Sequence, residues 1–144
     1  MTVEIREIGP SDQDAVLAAG PLFDDPPDQD ATERFLAEPT HHLLIAYDDN
    51  GDPVGFVSGV ETTHPDKGTE MFLYELGVDE SARRRGVGCG LVEALAAVAR
   101  DRGCYGMWTG TEPDNVAARR TYERAGARTT PAHLILEWSF SRSA

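Results

Sequence analysis

The chain is short of lysine, of cysteine and of long apolar runs, and each shortage removes a class of function. Lys67 is the only lysine among 144 residues. A P-loop, which needs Lys followed by Ser or Thr behind its glycines, is therefore absent. Cys89 and Cys104 are the only cysteines and form no CxxC pair, so no disulfide framework is expected, which fits a reducing compartment. No apolar stretch approaches the ~20 residues of a membrane span. The start, "MTVEIREIGP", lacks the basic and apolar regions of a secretory signal. The expectation is a cytoplasmic protein with no membrane partner. His41, His42, His64 and His133 lack metal-ligand spacing, and no metal is expected.

Positive charge is scarce as well, with a net charge of −12. That balance argues against general nucleic-acid binding, which needs a basic face for phosphates. The charge is also uneven. Residues 1–82 carry 3 basic and 19 acidic side chains, a balance of −16, whereas residues 83–144 carry 10 and 6, a balance of +4. The split suits a cation on the first half and an anion on the second, although acidity also serves solubility.

What is present reads as one domain over residues 1–144, of α+β class. "TVEIREI" (2–8) alternates with period two and predicts a strand. Ser11, with Asp14 three residues on, predicts a capped short helix. A loop rich in proline and aspartate spans 21–30, and a second short helix is expected over roughly 31–38. "HLLIAYDDNGDPVGFVSGVE" predicts a hairpin about Asn50-Gly51, and "EMFLYELGV" (70–78) a central strand. Residues 86–102 carry Val87, Leu91, Leu95 and Val98 at helical spacing, ending at Gly103. "YGMWTGT" predicts another strand, "NVAARRTYERAGA" a helix stopped by Gly126, and "HLILEWSF" a last strand. The expected fold is a mixed, mostly antiparallel central sheet flanked by helices.

Between strand 70–78 and the long helix lies "ARRRGVGCGL" (82–91). The first N–H groups of a helix have no internal partners, and its dipole puts roughly half a positive charge there. Together they form a site for phosphate. Gly86, Gly88 and Gly90 bring no side chain to hold a diphosphate away, and Arg83, Arg84 and Arg85 add forked donors. The dinucleotide pattern GxGxxG fails, because Leu91 stands at its third glycine. What remains is Arg83-x-x-Gly86-x-Gly88.

These residues, with the later helix, resemble the GNAT superfamily of acyl-CoA-dependent N-acetyltransferases. Arg83, Gly86 and Gly88 match its R/Q-x-x-G-x-G/A signature after a central strand. Asn115, Tyr122 and Gly126 match the second part, an Asn followed seven residues later by a Tyr near a closing Gly. The resemblance covers roughly residues 70–128. It implies that backbone N–H groups of Arg84, Arg85, Gly86, Val87, Gly88, Cys89 and Gly90 hold the pyrophosphate of acetyl-CoA. It also implies that Leu76, Gly77 and Val78, on a splayed strand, accompany the pantetheine arm, and that Asn115 hydrogen-bonds it. "FLYELGV" with "LFDDPPDQDATERFLAEP" is similar to the aminoglycoside 3-N-acetyltransferase type I branch, which typically has Asp at the position of Glu75. Dimers are common in the superfamily, which leaves a homodimer open.

Acetyl transfer to an amine needs a base, a stabilised oxyanion and a proton for the leaving thiolate. The resemblance puts Glu75 beside the thioester as base and Tyr122 in place to protonate the thiolate; a phenol of pKa about 10 suits that step. A backbone N–H near Val78 meets the oxyanion. Asp24, Asp25, Tyr74, Glu112, Asp114 and His133 are candidate acceptor contacts, with Asp28 and Asp30 adding to an acidic rim. The expected acceptor is a small polycationic amine, aminoglycoside-like first and polyamine-like second. Acetylation of peptides or proteins, and acyl-CoA binding without turnover, stay open as alternatives.

Overall fold

The computed structural model describes residues 2–130 and 133–140. Its elements run β1 (Glu4–Glu7), α1 (Gln13–Ala18), α2 (Gln29–Ala37), β2 (His41–Tyr47), β3 (Pro53–His64), β4 (Gly68–Val78), α3 (Val87–Asp101), β5 (Met107–Trp108) and α4 (Val116–Arg124). The five strands form one sheet in chain order. Three pairings are antiparallel, and β5 joins β4 in parallel. This is the expected α+β sheet flanked by helices.

Helices cover both faces, so the inner strands are apolar on both sides rather than alternating. In β2, Leu43 and Ile45 pack with Val16, Leu36 and Phe56 toward α1 and α2. Leu44 and Ala46 pack on the other face with Leu91 and Leu95 of α3. The β2–β3 turn is held by Asp48, whose Oδ1 accepts from the N–H groups of Asn50 and Asp52, both at 2.9 Å. One polar knot ties the sheet to the end of α3. His42, 5% exposed, has Nδ1 3.0 Å from Glu7 Oε1 and Nε2 2.6 Å from Glu61 Oε2. Arg102 Nε donates to the same Glu61 oxygen at 2.8 Å. Burial pushes the Glu61 carboxyl up, but its bonds to Arg102 and His42 outweigh that and hold it below the usual range.

Two local expectations need correction. Ser11 does not cap α1. Asp12 is the N-cap residue, and its side chain turns back to accept from Gly9 N–H at 2.9 Å. In α2 the helix starts earlier than expected, because Asp28 accepts from Ala31 N–H at 2.8 Å and so caps it. The larger correction is at the chain's end. "HLILEWSF" forms no strand: residues 133–140 carry no regular structure. Leu134, Ile135, Leu136, Trp138 and Phe140 are each 75–84% exposed. Strand-prone residues make a strand only where a sheet edge pairs with them, and here none does.

The feature that positions the site is a fork. β5 pairs with β4 only at Met71–Met107 and Phe72–Trp108. Beyond them Thr109 Oγ1 donates to the Leu73 carbonyl at 2.9 Å, and the two strands part. At the same level the β3–β4 register shifts between Ser58 and Gly59, which leaves Tyr74 opposite no β3 residue. Such a bulge re-aims the side chains after it. Past the fork, the β4 edge from Tyr74 to Val78 has no strand partner on the β5 side among the described residues.

Candidate active site

The loop between β4 and α3 is built to present bare backbone. Asp79 anchors it, accepting from Ser81 N–H and from the Ser81 hydroxyl. Arg83 Nε donates to the Val78 carbonyl at 3.2 Å, so this arginine ties the loop to the end of β4. Arg84 follows at φ 65°, the only positive-φ residue other than glycine among the described ones. Backbone in that region costs energy and is found where a site over-determines it. Gly86, the N-cap of α3, takes φ 79°, which glycine adopts without strain. Arg84 and Gly86 thus supply two left-handed residues with one residue between them, and such turns form concavities suited to anions. Gly90 N–H donates to the Gly86 carbonyl at 2.9 Å, so the N–H groups of Val87, Gly88 and Cys89 lie ahead of the helix's first bond. A Cβ on Gly86 would meet nothing within 4 Å, and one on Gly88 would crowd Thr121 Cγ2 at 3.2 Å. These residues fit a diphosphate.

From the cradle the open edge of β4 leads into a groove. A cavity of about 260 Å³ is lined by Leu22, Phe56, Tyr74, Glu75, Leu76, Gly77, Asn115 and Tyr122, among others. The structure thus brings the two expected catalytic side chains into one space, with Leu76 and Gly77 of the strand and Asn115 opposite. Gly77 keeps its floor open: a Cβ there would stand 2.7 Å from Phe56 Cε1. Asn115 does more than expected, since its Oδ1 caps α4 by accepting from Ala118 N–H at 3.1 Å. Its amide N–H donors remain for a ligand. Burial pushes the Tyr122 phenol up, against a smaller opposing pull from the Thr109 hydroxyl, so it stays protonated at neutral pH.

A second cavity, about 390 Å³, adjoins the first and is lined by Phe23, Asp24, Asp25, Tyr74 and Glu75. Asp24, Tyr74 and Glu75 therefore line both spaces. Burial raises the Glu75 carboxyl, and the charges of Asp24 and then Asp25 raise it further. A carboxylate tuned upward is a better base near neutral pH. The pocket holds three carboxylates and no cationic side chain among its lining residues.

Other candidates stand apart. Asp28 is spent on capping α2. Glu112 and Asp114 lie exposed in the turn before α4, and neither lines a cavity. His133 lies on the exposed segment after residue 130, with Nδ1 3.3 Å from the Thr130 carbonyl. Cys89 donates to Glu93 Oε1 at 3.2 Å, and burial and that carboxylate raise its thiol, the opposite of an activated nucleophile. Sequence reasoning missed Phe23, Leu22 and Thr109. "LFDDP" marks the first two only as a loop start, and nothing in "MWTGT" singles out the threonine that sets the fork.

Residues 12–127 match the model of the Acetyltransferase (GNAT) family. An L-2,4-diaminobutyric acid acetyltransferase of Streptomyces coelicolor is 38% identical over 89 residues, 58% of this chain and 51% of that protein. The chain thus spans about half the length of that relative. An aminoglycoside acetyltransferase from an uncultured soil metagenomic sample, solved with sisomicin, superposes with a TM-score of 0.87 at 15% identity, over 96% of this chain and 97% of that one. AAC(6')-Iy with the bisubstrate analogue CoA-S-monomethyl-acetylneamine gives 0.81 at 22%, over 96% and 99%. This aminoglycoside neighbour is of 6' type, so the expected likeness to the 3-N type I branch in particular is replaced by a broader one. The family match over residues 12–127 places this chain, with its forked strands and glycine-rich head of α3, in the acetyltransferase (GNAT) family.

Proposed function

We propose that the chain transfers the acetyl group of acetyl-CoA to a primary amine of a small polycationic acceptor, aminoglycoside-like or polyamine-like. The observation that carries this reading is the position of Glu75 at the junction of two cavities. One is lined by Leu76, Gly77, Asn115 and Tyr122, the other by Phe23 and Asp25, and Asp24 lines both. The bound thioester supplies the activated acetyl group. Glu75 removes a proton from the acceptor's ammonium, directly or through water, which frees the lone pair for attack. A backbone N–H near Val78 donates to the oxygen as charge develops on it. Tyr122 donates its phenolic proton to the sulfur as the carbon–sulfur bond breaks, and the surplus proton of the attacking nitrogen, directly or through water, restores the phenol. Asn115 and the edge of β4 hold the pantetheine arm, and N–H groups of residues 84–90 hold the diphosphate.

The acceptor pocket favours amines without a carboxylate. An α-carboxylate there would face three acidic side chains and no cation, and like charges in a partly buried pocket repel strongly. Diaminobutyrate is the competing acceptor, favoured by the Streptomyces relative. Thiol release from acetyl-CoA, measured with aminoglycosides, polyamines, diaminobutyrate and peptides, decides between them. The reading predicts kcat/KM for polyamines or aminoglycosides at least about 100-fold above diaminobutyrate, the effect of one repelled charge. Release with diaminobutyrate or peptides alone overturns the acceptor, and binding of acetyl-CoA without release from any of them overturns the enzyme reading.

A further inference from the structure

We infer that Phe56 sets the length of the acyl group this chain accepts, closing the cavity behind the reacting carbon so that a two-carbon acyl fits and a four-carbon one does not. This rests on acetyl-CoA being the donor, as proposed above, and assigns the residue that measures it. Phe56 belongs to β3 and packs in the core with Leu36, Leu43 and Ile45, yet it also lines the cavity that holds Glu75 and Tyr122. The sheet register explains how a core ring reaches the open edge of β4. Gly77 stands opposite Phe56 and has no side chain, so the ring occupies the space where one would lie. A Cβ on Gly77 would be 2.7 Å from Phe56 Cε1 and 3.2 Å from Cδ1.

The chemistry directs the acyl tail to this ring. When the amine attacks, the reacting carbon becomes tetrahedral. Its sulfur lies toward Tyr122, its oxygen toward the N–H near Val78 and the amine toward Glu75, so the tail takes the direction left over. An apolar tail needs an apolar wall. Leu76 packs with the α3 cluster on the other face of the sheet, and Ala118 stands on α4 with Tyr122, on the sulfur's side. Leu22, Phe56 and Gly77 remain. That wall has little slack. Phe56 is 2% exposed, and Phe23 stacks on it with ring centroids 4.3 Å apart. The Leu22 carbonyl oxygen would be 3.3 Å from a Cβ on Gly77, so the loop closes over the same spot. A close-packed wall does not yield to added methylenes without cost, and in a fitted apolar pocket one methylene is worth about 10–200-fold.

The experiment uses the full chain. Calorimetric titration with CoA, acetyl-CoA and butyryl-CoA reads the acyl preference without any acceptor, so it stands whichever amine the chain uses. Butyryl-CoA should bind at least about tenfold more weakly than acetyl-CoA. Phe56→Leu shortens the wall and should bring the two affinities to within about threefold of each other. A ratio of affinities taken on one sample does not depend on the fraction of it that is folded. Should Phe56→Leu fail to fold at all, Leu22→Ala, at a half-buried position on the loop, takes its place and should lower the ratio at least about threefold. Equal binding of acetyl-CoA and butyryl-CoA by the parent overturns the assignment of Phe56 and leaves the donor standing. So does an unchanged ratio in Phe56→Leu, or in Leu22→Ala where Phe56→Leu does not fold. Binding of none of the three ligands overturns the donor itself, and this assignment with it.

Discussion

Raising a carboxyl's affinity for its proton suits the base proposed for Glu75 and makes the side chain a worse contributor to stability. Its folded-state proton affinity is raised by burial and by Asp24 and Asp25, while the unfolded chain returns it to the ordinary carboxylate value. The folded state therefore binds this proton more tightly, so it is favoured at low pH and loses that advantage as pH rises from the ordinary range through the raised value. At neutral pH the ionised side chain is a net cost that Glu75→Gln removes. The variant should melt higher than the parent at pH 7 and at the same temperature below the ordinary carboxylate range, read by calorimetry. Its turnover should fall by about 10²–10⁴, the range for loss of a general base, and the acidic limb of the rate profile should vanish. A variant equally active with an unchanged limb would remove Glu75 from the chemistry. Tyr122→Phe keeps the ring that packs against the α3 cluster and deletes only the hydroxyl. It should reduce kcat by a comparable factor with acetyl-CoA affinity unchanged in titration; equal losses in both would make the residue structural.

At the scale of elements, the head of α3 carries the strongest local signal, and Gly86 isolates it. A methyl group there meets nothing within 4 Å, yet the residue sits at φ 79°, where an L side chain costs about 1–2 kcal/mol. Gly86→Ala should lower stability by about that much in denaturant titration, and it should weaken acetyl-CoA binding by more than Gly103→Ala. Gly103 shares the same conformation (φ 82°) at the far end of the helix. Equal binding by the two variants would show that the cradle does not hold the diphosphate. This stretch was legible because its cause is local: glycines, a helix start and a hydrophobic period lie side by side in the chain. Helix ends at Gly103 and Gly126 were legible for the same reason. The cap of α1 was not, since Asp12 and Ser11 are equal candidates until the chain path chooses. The fork at Thr109 and the pocket wall at Phe23 depend on distant segments meeting, as does the fate of 133–140. Its composition names a strand, but only an available edge decides whether and where it pairs.

Over the whole molecule, the charge split read from the sequence separates the cavities from the head of α3. Carboxylates of the first half line both cavities, the larger of which is proposed to take the acceptor, while Arg83, Arg84 and Arg85 of the second half line neither and precede α3, at the proposed diphosphate site. A chain of net charge −12 attracts cations over a distance set by the Debye length, about 10 Å at 0.1 M salt and 3 Å at 1 M. A polycation feels that field in proportion to its charge, and a monoamine hardly does. Raising salt tenfold from 0.05 M should therefore lower kcat/KM by about tenfold or more for a tetra-amine acceptor and by less than about threefold for a monoamine, with kcat constant for both. The pocket carboxylates should account for part of that slope. Asp24→Asn with Asp25→Asn should flatten it and, by removing two charges that raise Glu75, move the acidic limb of the profile to lower pH. Steady-state kinetics over salt and pH read both effects on the same two proteins. Parallel salt slopes for tetra-amine and monoamine would mean that the acidity serves solubility and plays no part in choosing the acceptor. A flattened slope with an unmoved limb would mean that the aspartates recruit the acceptor without tuning the base.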